Sequence, residues 1–201
     1  MTKTNNKSIY NLVVTAIFIA ITAVLQLFAS SITLGTVSFS IVLIPIVISG
    51  ILVGPLGGFL TGLTFGVITM VGGITGGDIF TATLMQSGTR GFIITTLICL
   101  VKGSMAGLVS ALVYKAIKDQ NNFVAVVLAS ATAPIVNTGL FILGALTLSD
   151  VLSATFAQGS SVIYFLVIGC AGINFVIEFL VNMIFAPAIY QLIKAVGKGK
   201  I

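Results

Sequence analysis

The chain has 201 residues, of which 58% are hydrophobic and only 6% are charged, and its net charge is +5. A soluble domain carries about 25% charged residues, so this composition excludes a water-soluble fold and indicates a protein embedded in lipid. The sequence has no histidine, which removes the commonest metal ligand and general base. Its positive charges fall mostly at the ends of apolar segments, so we expect no nucleic-acid partner.

Six apolar segments follow one another along the chain and predict an all-α membrane protein with a single integral membrane domain over residues 1–201. A helix of about 20 apolar residues is long enough to cross the hydrocarbon core of a bilayer. The second and third segments are short for full spans. The first could alternatively be a signal peptide, but no soluble domain follows it. The predicted helices cover about residues 10–30, 39–53, 56–71, 91–117, 123–146 and 162–195.

The connections between these helices differ in length. The stretch 72–90 is rich in glycine and threonine and is predicted to be a long loop that dips into the protein. Residues 147–161 are predicted to form a second long loop. The polar run from Lys118 to Asn122 predicts a short turn, and Gly54-Pro55 another.

Lysines at the helix ends set the predicted orientation. Short cytoplasmic loops are enriched in lysine and arginine, so both termini are predicted to be cytoplasmic. The opposite side holds Asp78, Asp150 and Arg90, and its loops are the longer ones, so a ligand is expected to enter there. With six spans, the following lysines fall on one face: Lys3, Lys7, Lys115, Lys118, Lys194, Lys198 and Lys200.

A stripe of glycines runs through the second and third predicted helices. Spacing of i to i+4 places residues on one helix face, where small side chains let two helices approach closely. We interpret the stripe as a site of tight helix pairing within the bundle; the alternative is a sliding surface for a partner. Its members are Gly50, Gly54, Gly58, Gly62 and Gly66.

Charged residues inside the apolar segments are the strongest indication of a functional site. A charge at the bilayer midplane costs about 2.5–3.5 kcal/mol on insertion scales, so such residues usually face a site or a partner. Lys102 and Glu178 lie near the middle of their helices, and Arg90 lies near the start of the fourth. Asn174 and Asn182 flank Glu178 at four-residue spacing, which predicts one polar stripe. The alternatives are a structural Lys102–Glu178 ion pair and an Arg90 that reaches to lipid headgroups.

Asn137 follows Pro134 inside the fifth predicted helix. Proline removes a backbone hydrogen bond and frees a carbonyl, so a local break beside an amide side chain predicts a ligand-binding position. A simple kink with an interhelical hydrogen bond is the alternative.

Several enzyme motifs are absent from the sequence. The run from Gly72 to Asp78 lacks the lysine and the serine or threonine of a phosphate-binding Walker motif. No His-Glu-x-x-His or Gly-x-Ser-x-Gly motif is present, and acidic pairs that would hold a metal for lipid or prenyl chemistry are missing. We therefore expect no catalytic residue, no metal and no cofactor.

Two further motifs complete the pattern. The first helix carries an Ala-x-x-x-Ala pair at Ala16 and Ala20, and the run from Ile44 to Gly58 combines an apolar-proline start with a Gly-x-x-x-Gly-Pro turn into the third helix. Together with six predicted helices in about 200 residues and a basic cytoplasmic face, these motifs resemble the substrate-binding S component of an energy-coupling factor (ECF) vitamin transporter. The resemblance covers nearly the whole chain.

The resemblance implies a function and a set of partners. An S component binds a vitamin from outside, docks by its first helix onto a membrane coupling protein (the T component) that rests on two ATPase subunits, and topples in the cell membrane to release its cargo. By this resemblance Ala16 and Ala20 form the docking face. The missing Walker motif is then explained, because the ATPases are separate chains.

The sequence is most similar to the pantothenate-type members. It has no tryptophan, unlike the thiamine-binding members, and its Thr132–Thr138 run and Arg90 resemble the pantothenate type. An arginine can hold the ligand's carboxylate with two parallel hydrogen bonds, and Asn137 can serve an amide or hydroxyl. Riboflavin, hydroxymethylpyrimidine or pyridoxine, and folate remain alternatives, as does a membrane scaffold that binds only proteins. The predicted substrate-binding residues are Arg90, Asn137, Lys102, Asn174 and Glu178.

Overall fold

The computed structural model describes residues 3–29, 33–34, 37–38, 41–156 and 161–198, with side chains over 7–28, 41–156 and 161–196. These ranges leave out Lys200 and the side chains of Lys3 and Lys198. They also leave out parts of the predicted loop 147–161 and of the connection between the first two predicted helices. The described elements are α1 (Lys3–Ala29), β1 (Thr33–Leu34), β2 (Val37–Ser38), α2 (Leu43–Val53), α3 (Pro55–Thr75), α4 (Ile79–Gln86), α5 (Thr89–Ile117), α6 (Asn122–Leu146), α7 (Ser149–Thr155), α8 (Val162–Tyr164), a π-helical segment (Phe165–Cys170) and α9 (Gly172–Lys198).

The all-α prediction is confirmed for the described residues, apart from the two short strands, which pair antiparallel with Thr33 opposite Ser38. Within the described ranges, five helical segments are long and apolar enough to cross a membrane: Lys7–Phe28 within α1, α3, α5, α6 and Val162–Val196. The predicted second helix is shorter than expected. It begins at Leu43 instead of 39 and has 11 residues, which reach roughly 16 Å at 1.5 Å per residue.

The stretch 72–90 is not the long loop that the sequence predicted. α3 continues to Thr75, and α4 covers half of what remains. Gly76 ends α3 in the left-handed conformation, with φ of 78°. Asp78 caps α4, because its side chain accepts a hydrogen bond from the Thr81 backbone N–H at 3.0 Å. The sequence carries both signals, and the loop prediction is wrong.

The predicted loop 147–161 also contains a helix, α7. Its Leu152 is buried in one apolar cluster with Phe80 and Leu84 of α4. The Phe80 and Phe156 ring centroids are 5.2 Å apart. α4 and α7 therefore form an apolar layer at one end of the bundle, which we call the α4–α7 end.

The last predicted helix, 162–195, is not one regular α-helix. α8 leads into the π-helical segment, and α9 follows after a turn at Ala171. The Ala171 backbone N–H donates to the carbonyl of Leu166 at 2.8 Å, which is the i to i−5 pattern of a π turn. Hydropathy does not report this change of winding, because the segment is apolar on all sides and its composition suits an α-helix equally well.

The glycine stripe lies between α5 and the α2–α3 pair. A Cβ added at Gly50 would approach the Cβ of Ala111 to 2.9 Å. Gly54 is the exception: it is the C-cap of α2 with φ of 108°, and open space surrounds it. The interpretation as tight helix pairing is confirmed for the other four, because a Cβ on α3 would meet backbone carbonyls of α5. Gly58 faces Gly107, Gly62 faces Gly103, and Gly66 faces Cys99.

This contact predicts a large difference between two Gly→Ala substitutions on the same helix. Gly62→Ala should destabilise the protein by about 1–3 kcal/mol, because backbone atoms cannot move aside as a side chain can. Gly72→Ala is the matched control: no atom lies within 4 Å of its added Cβ, so it should be neutral or stabilising. The thiols of Cys99 and Cys170 are buried, so thermal unfolding in detergent can be followed with a thiol-reactive dye. Equal unfolding temperatures for both variants would contradict the packing described here.

Candidate functional site

The polar stripe predicted on the last helix lies on α9. Asn174 donates from Nδ2 to Glu178 Oε1 at 3.4 Å, and Asn182 donates to the Glu178 backbone carbonyl at 2.8 Å. The Glu178 side chain is buried, with 2% of its surface exposed. A buried carboxylate needs hydrogen-bond donors, and the neighbouring amides supply them.

Asn137 of α6 joins this cluster from the other side. Its Nδ2 donates to Glu178 Oε2 at 3.5 Å, while its Oδ1 has no hydrogen-bond partner. The residue is 5% exposed. α6 runs without a break through Pro134, so the predicted helix break is not found, whereas the alternative, an interhelical hydrogen bond, is.

Lys102 of α5 approaches the cluster without forming an ion pair. Its Nζ lies 5.4 Å from the ring centroids of both Phe65 and Phe141, a cation–π arrangement. No carboxylate oxygen of Glu178 comes within 4.0 Å of it. The alternative of a direct Lys102–Glu178 ion pair is therefore not found, although the two opposite charges lie in the same region of the bundle.

These groups surround a small pocket between α5, α6 and the start of α9. Its volume is about 30 Å³, enough for a water molecule but not for a vitamin. A larger apolar groove of about 440 Å³ lies between α5 and α6, and Lys102 lines both spaces. The pocket is lined by Lys102, Asn137, Thr138, Phe141, Cys170, Ala171 and Asn174.

Several pocket residues were missed in the sequence. Cys170 is four residues before Asn174 and extends the predicted polar stripe by one helical turn. Phe141 is four residues after Asn137, on the same helix face. Searching one turn beyond each predicted site residue would have identified both. Thr138 carries no comparable signal, since threonine is common throughout this chain.

Arg90 does not belong to this cluster. Its Nη1 lies 3.3 Å from Asp150 Oδ2, its Nη2 donates to the Thr147 carbonyl at 2.6 Å, and both charged side chains are 64% exposed. Twelve residues separate Arg90 from Lys102 along α5, or about 18 Å. A positive charge near a helix N-terminus is unfavourable, and the nearby carboxylate of Asp150 offsets this cost without a ligand.

The predicted docking residues lie on the surface of the bundle. Ala16 and Ala20 of α1 are both exposed. Ala16 also lines a groove of about 420 Å³ between α1 and the turn from α2 to α3, whose other walls include Leu12, Leu56 and Leu60. Neither alanine is therefore packed inside the bundle.

The fold and the pocket together define a class: a multi-pass membrane protein with a small polar pocket enclosed among apolar helices. Among the described residues, no group of three or more His, Cys, Asp or Glu side chains could hold a metal ion. A family model described as the ECF transporter, substrate-specific component, matches residues 10–193. The chain belongs to this family. No curated protein matches the sequence.

Proposed function

We propose that this chain is the vitamin-binding subunit of an ECF transporter and that its substrate is pantothenate. The observation that carries the proposal is the position of Lys102, the one charged side chain that lines the pocket in the described part of the chain, together with the amides of Asn137 and Asn174. Pantothenate has one carboxylate, one amide and two hydroxyls. A single cation beside amide groups matches that set of functional groups.

Lys102 is the better-placed anchor for the ligand's carboxylate. Its ammonium has three donors and no carboxylate within 4.0 Å, whereas Arg90 is already paired with Asp150. The Lys102 site is also enclosed by aromatic rings, so a charge-assisted hydrogen bond there is less weakened by water. Arg90 remains a second proposed contact, at the mouth of the site.

The pocket must widen to admit a vitamin, since drug-sized ligands occupy about 300–1,000 Å³. Lys102 lines both the 30 Å³ pocket and the 440 Å³ groove. A shift of its flexible four-carbon side chain would join the two spaces. The combined volume falls within the range of known ligand sites.

The proposed topology has six spans with both termini in the cytoplasm. Lys115, Lys118 and Lys194 lie near the C-terminal ends of α5 and α9, which supports a basic face at that end. Ligand would then enter at the α4–α7 end. The proposed partners are the membrane coupling protein, which contacts Ala16 and Ala20, and two ATPase subunits; the proposed location is the cell membrane.

The test is a binding titration of the purified chain in detergent. We expect pantothenate to bind more tightly than its alcohol analogue, which lacks the carboxylate, by at least about tenfold. Riboflavin, pyridoxine, hydroxymethylpyrimidine and folate serve as competing candidates. Equal affinity for the acid and the alcohol would exclude an anion-binding site, and a chain that binds no vitamin at all would favour the protein-only scaffold.

The exposed ion pair gives a separate prediction for Arg90. Arg90→Ala and Asp150→Ala should each lower the free energy of unfolding by about 0.2–1 kcal/mol, and the double variant no further, because exposed pairs contribute little. Thermal unfolding of the three variants measures this. If Arg90→Ala weakens pantothenate binding and Asp150→Ala does not, Arg90 contacts the ligand directly in addition to its structural pair.

A further inference from the structure

Hydrogen-bond direction around Glu178 gives one wall of the pocket a defined polarity. A carboxylate only accepts hydrogen bonds, so the amide nitrogens of Asn137 and Asn174 must face it, at 3.5 and 3.4 Å. The amide oxygen of Asn137 is consequently turned away from Glu178. This oxygen is buried and has no hydrogen-bond partner in the part of the chain that the structure describes. This wall therefore offers a hydrogen-bond acceptor backed by a negative charge.

The α5 side of the pocket, where Lys102 lies, has the reverse polarity. Lys102 offers three donors and no acceptor, and aromatic rings of Phe65 and Phe141 flank its ammonium. Lys102 thus gives this side of the pocket a positive charge, and Glu178 places a negative charge behind the amides of the other side. The Lys102 nitrogen and the Glu178 oxygens are more than 4.0 Å apart. A ligand that completes both walls needs an anionic group at one end and a neutral hydrogen-bond donor at the other.

We infer that Glu178 determines the charge class of the ligand: the site takes a molecule with one anionic end and a hydroxyl or other neutral hydrogen-bond donor at the other end, and it rejects a molecule that is anionic at both ends. This inference rests on the proposed function. Pantothenate fits, since its hydroxyls lie far from its carboxylate. Its phosphate ester, with phosphate on the terminal hydroxyl, is the excluded class.

The physical basis is repulsion in a poorly screened site. Glu178 is 2% exposed, so water and salt screen its charge far less than they screen a surface carboxylate. A phosphate against the Asn137 oxygen would set two acceptors against each other, close to the buried carboxylate. A hydroxyl in the same place would donate to this unpaired oxygen and satisfy it.

The test compares the binding of pantothenate and its phosphate ester to the purified wild type, Glu178→Gln and Asp78→Asn. The wild type should prefer pantothenate by at least about 100-fold, and Glu178→Gln should narrow that ratio at least about tenfold, mainly by binding the ester better. Asp78→Asn is the matched control: it also removes one carboxylate, keeps a good helix cap, and lies outside the pocket, so it should leave the ratio unchanged.

Each other outcome overturns a defined claim. A wild type that binds both ligands equally overturns the inference while leaving the proposed function in place, and this comparison does not depend on any variant folding. A Glu178→Gln protein that unfolds at the wild-type temperature but keeps the wild-type ratio overturns the assignment to Glu178. A wild type that binds neither ligand overturns the proposal of pantothenate, and the inference with it.

Discussion

Replacing Ala16 with tryptophan should abolish vitamin uptake by the complete transporter while leaving vitamin binding by the isolated chain in detergent unchanged. Ala16 is exposed on α1 and lines the groove between α1 and the α2–α3 turn. An indole ring there would fill the groove and hold an approaching helix away from the bundle. The pocket lies between α5, α6 and α9 and shares no lining residue with this groove.

The measurement pairs uptake into proteoliposomes that contain the coupling protein and ATPases with a binding titration of the chain alone. Ala188→Trp is the matched control, because Ala188 is an exposed alanine on α9 and receives the same added bulk away from α1. It should retain uptake. If Ala16→Trp loses binding as well as uptake, the substitution disturbs the bundle, and α1 is not assigned as a docking face by this experiment.

Lys102→Gln should weaken pantothenate binding by roughly 10- to 150-fold, which corresponds to about 1.5–3 kcal/mol for a hydrogen bond to a charged group. Its effect on the alcohol analogue should be much smaller, because that ligand has no carboxylate to lose a partner. Titration calorimetry of both ligands against wild type and variant measures the difference. Lys115→Gln is the matched control, since it removes an exposed cation of the same helix that does not line the pocket.

Loss of Lys102 also leaves Glu178 buried without a nearby positive charge, which could lower stability and obscure the binding result. The double variant Lys102→Gln/Glu178→Gln separates the two effects. It should unfold near the wild-type temperature and still bind the acid weakly. A double variant that recovers wild-type affinity would show that Lys102 acts through stability alone, and the proposed anchor would be wrong.

Much of the helical pattern could be predicted because it depends on local composition. The turn after Lys118 is confirmed: α5 ends at Ile117, and α6 begins at Asn122, whose preceding residue Asn121 caps the helix through its side chain. α4 was missed because the glycine and threonine content of the stretch 72–90 indicates a loop, whereas the helix cap at Asp78 is a weaker signal. The π-helical segment has no simple compositional signal, since the same apolar residues suit either winding.

The candidate site was predictable only in part, for a different reason. Spacing along one helix brings Asn174, Glu178 and Asn182 together, and this could be read directly from the sequence. The meeting of Asn137 with Glu178 depends on how α6 packs against α9, which spacing does not determine. The pairing of Arg90 with Asp150 was also not predictable from spacing, because the two residues lie sixty positions apart in the chain.

The glycine contacts also separate the helical bundle into a stiff part, α3 and α5, and a part that can move. Where α3 and α5 touch through backbone atoms, no side chain can change its rotamer to let one helix slip past the other. Lys102 is adjacent to Gly103 on this stiff pair of helices, so its backbone position is fixed. We expect the π-helical segment, whose Cys170 borders the pocket, to be the element that moves, because π turns are rare within α-helices and frequent at functional sites. We therefore expect the backbone of Lys102 to stay in place and Asn174 to move when a ligand is admitted. Spin labels on α3 and α5 should keep their separation, whereas a label on α9 should shift.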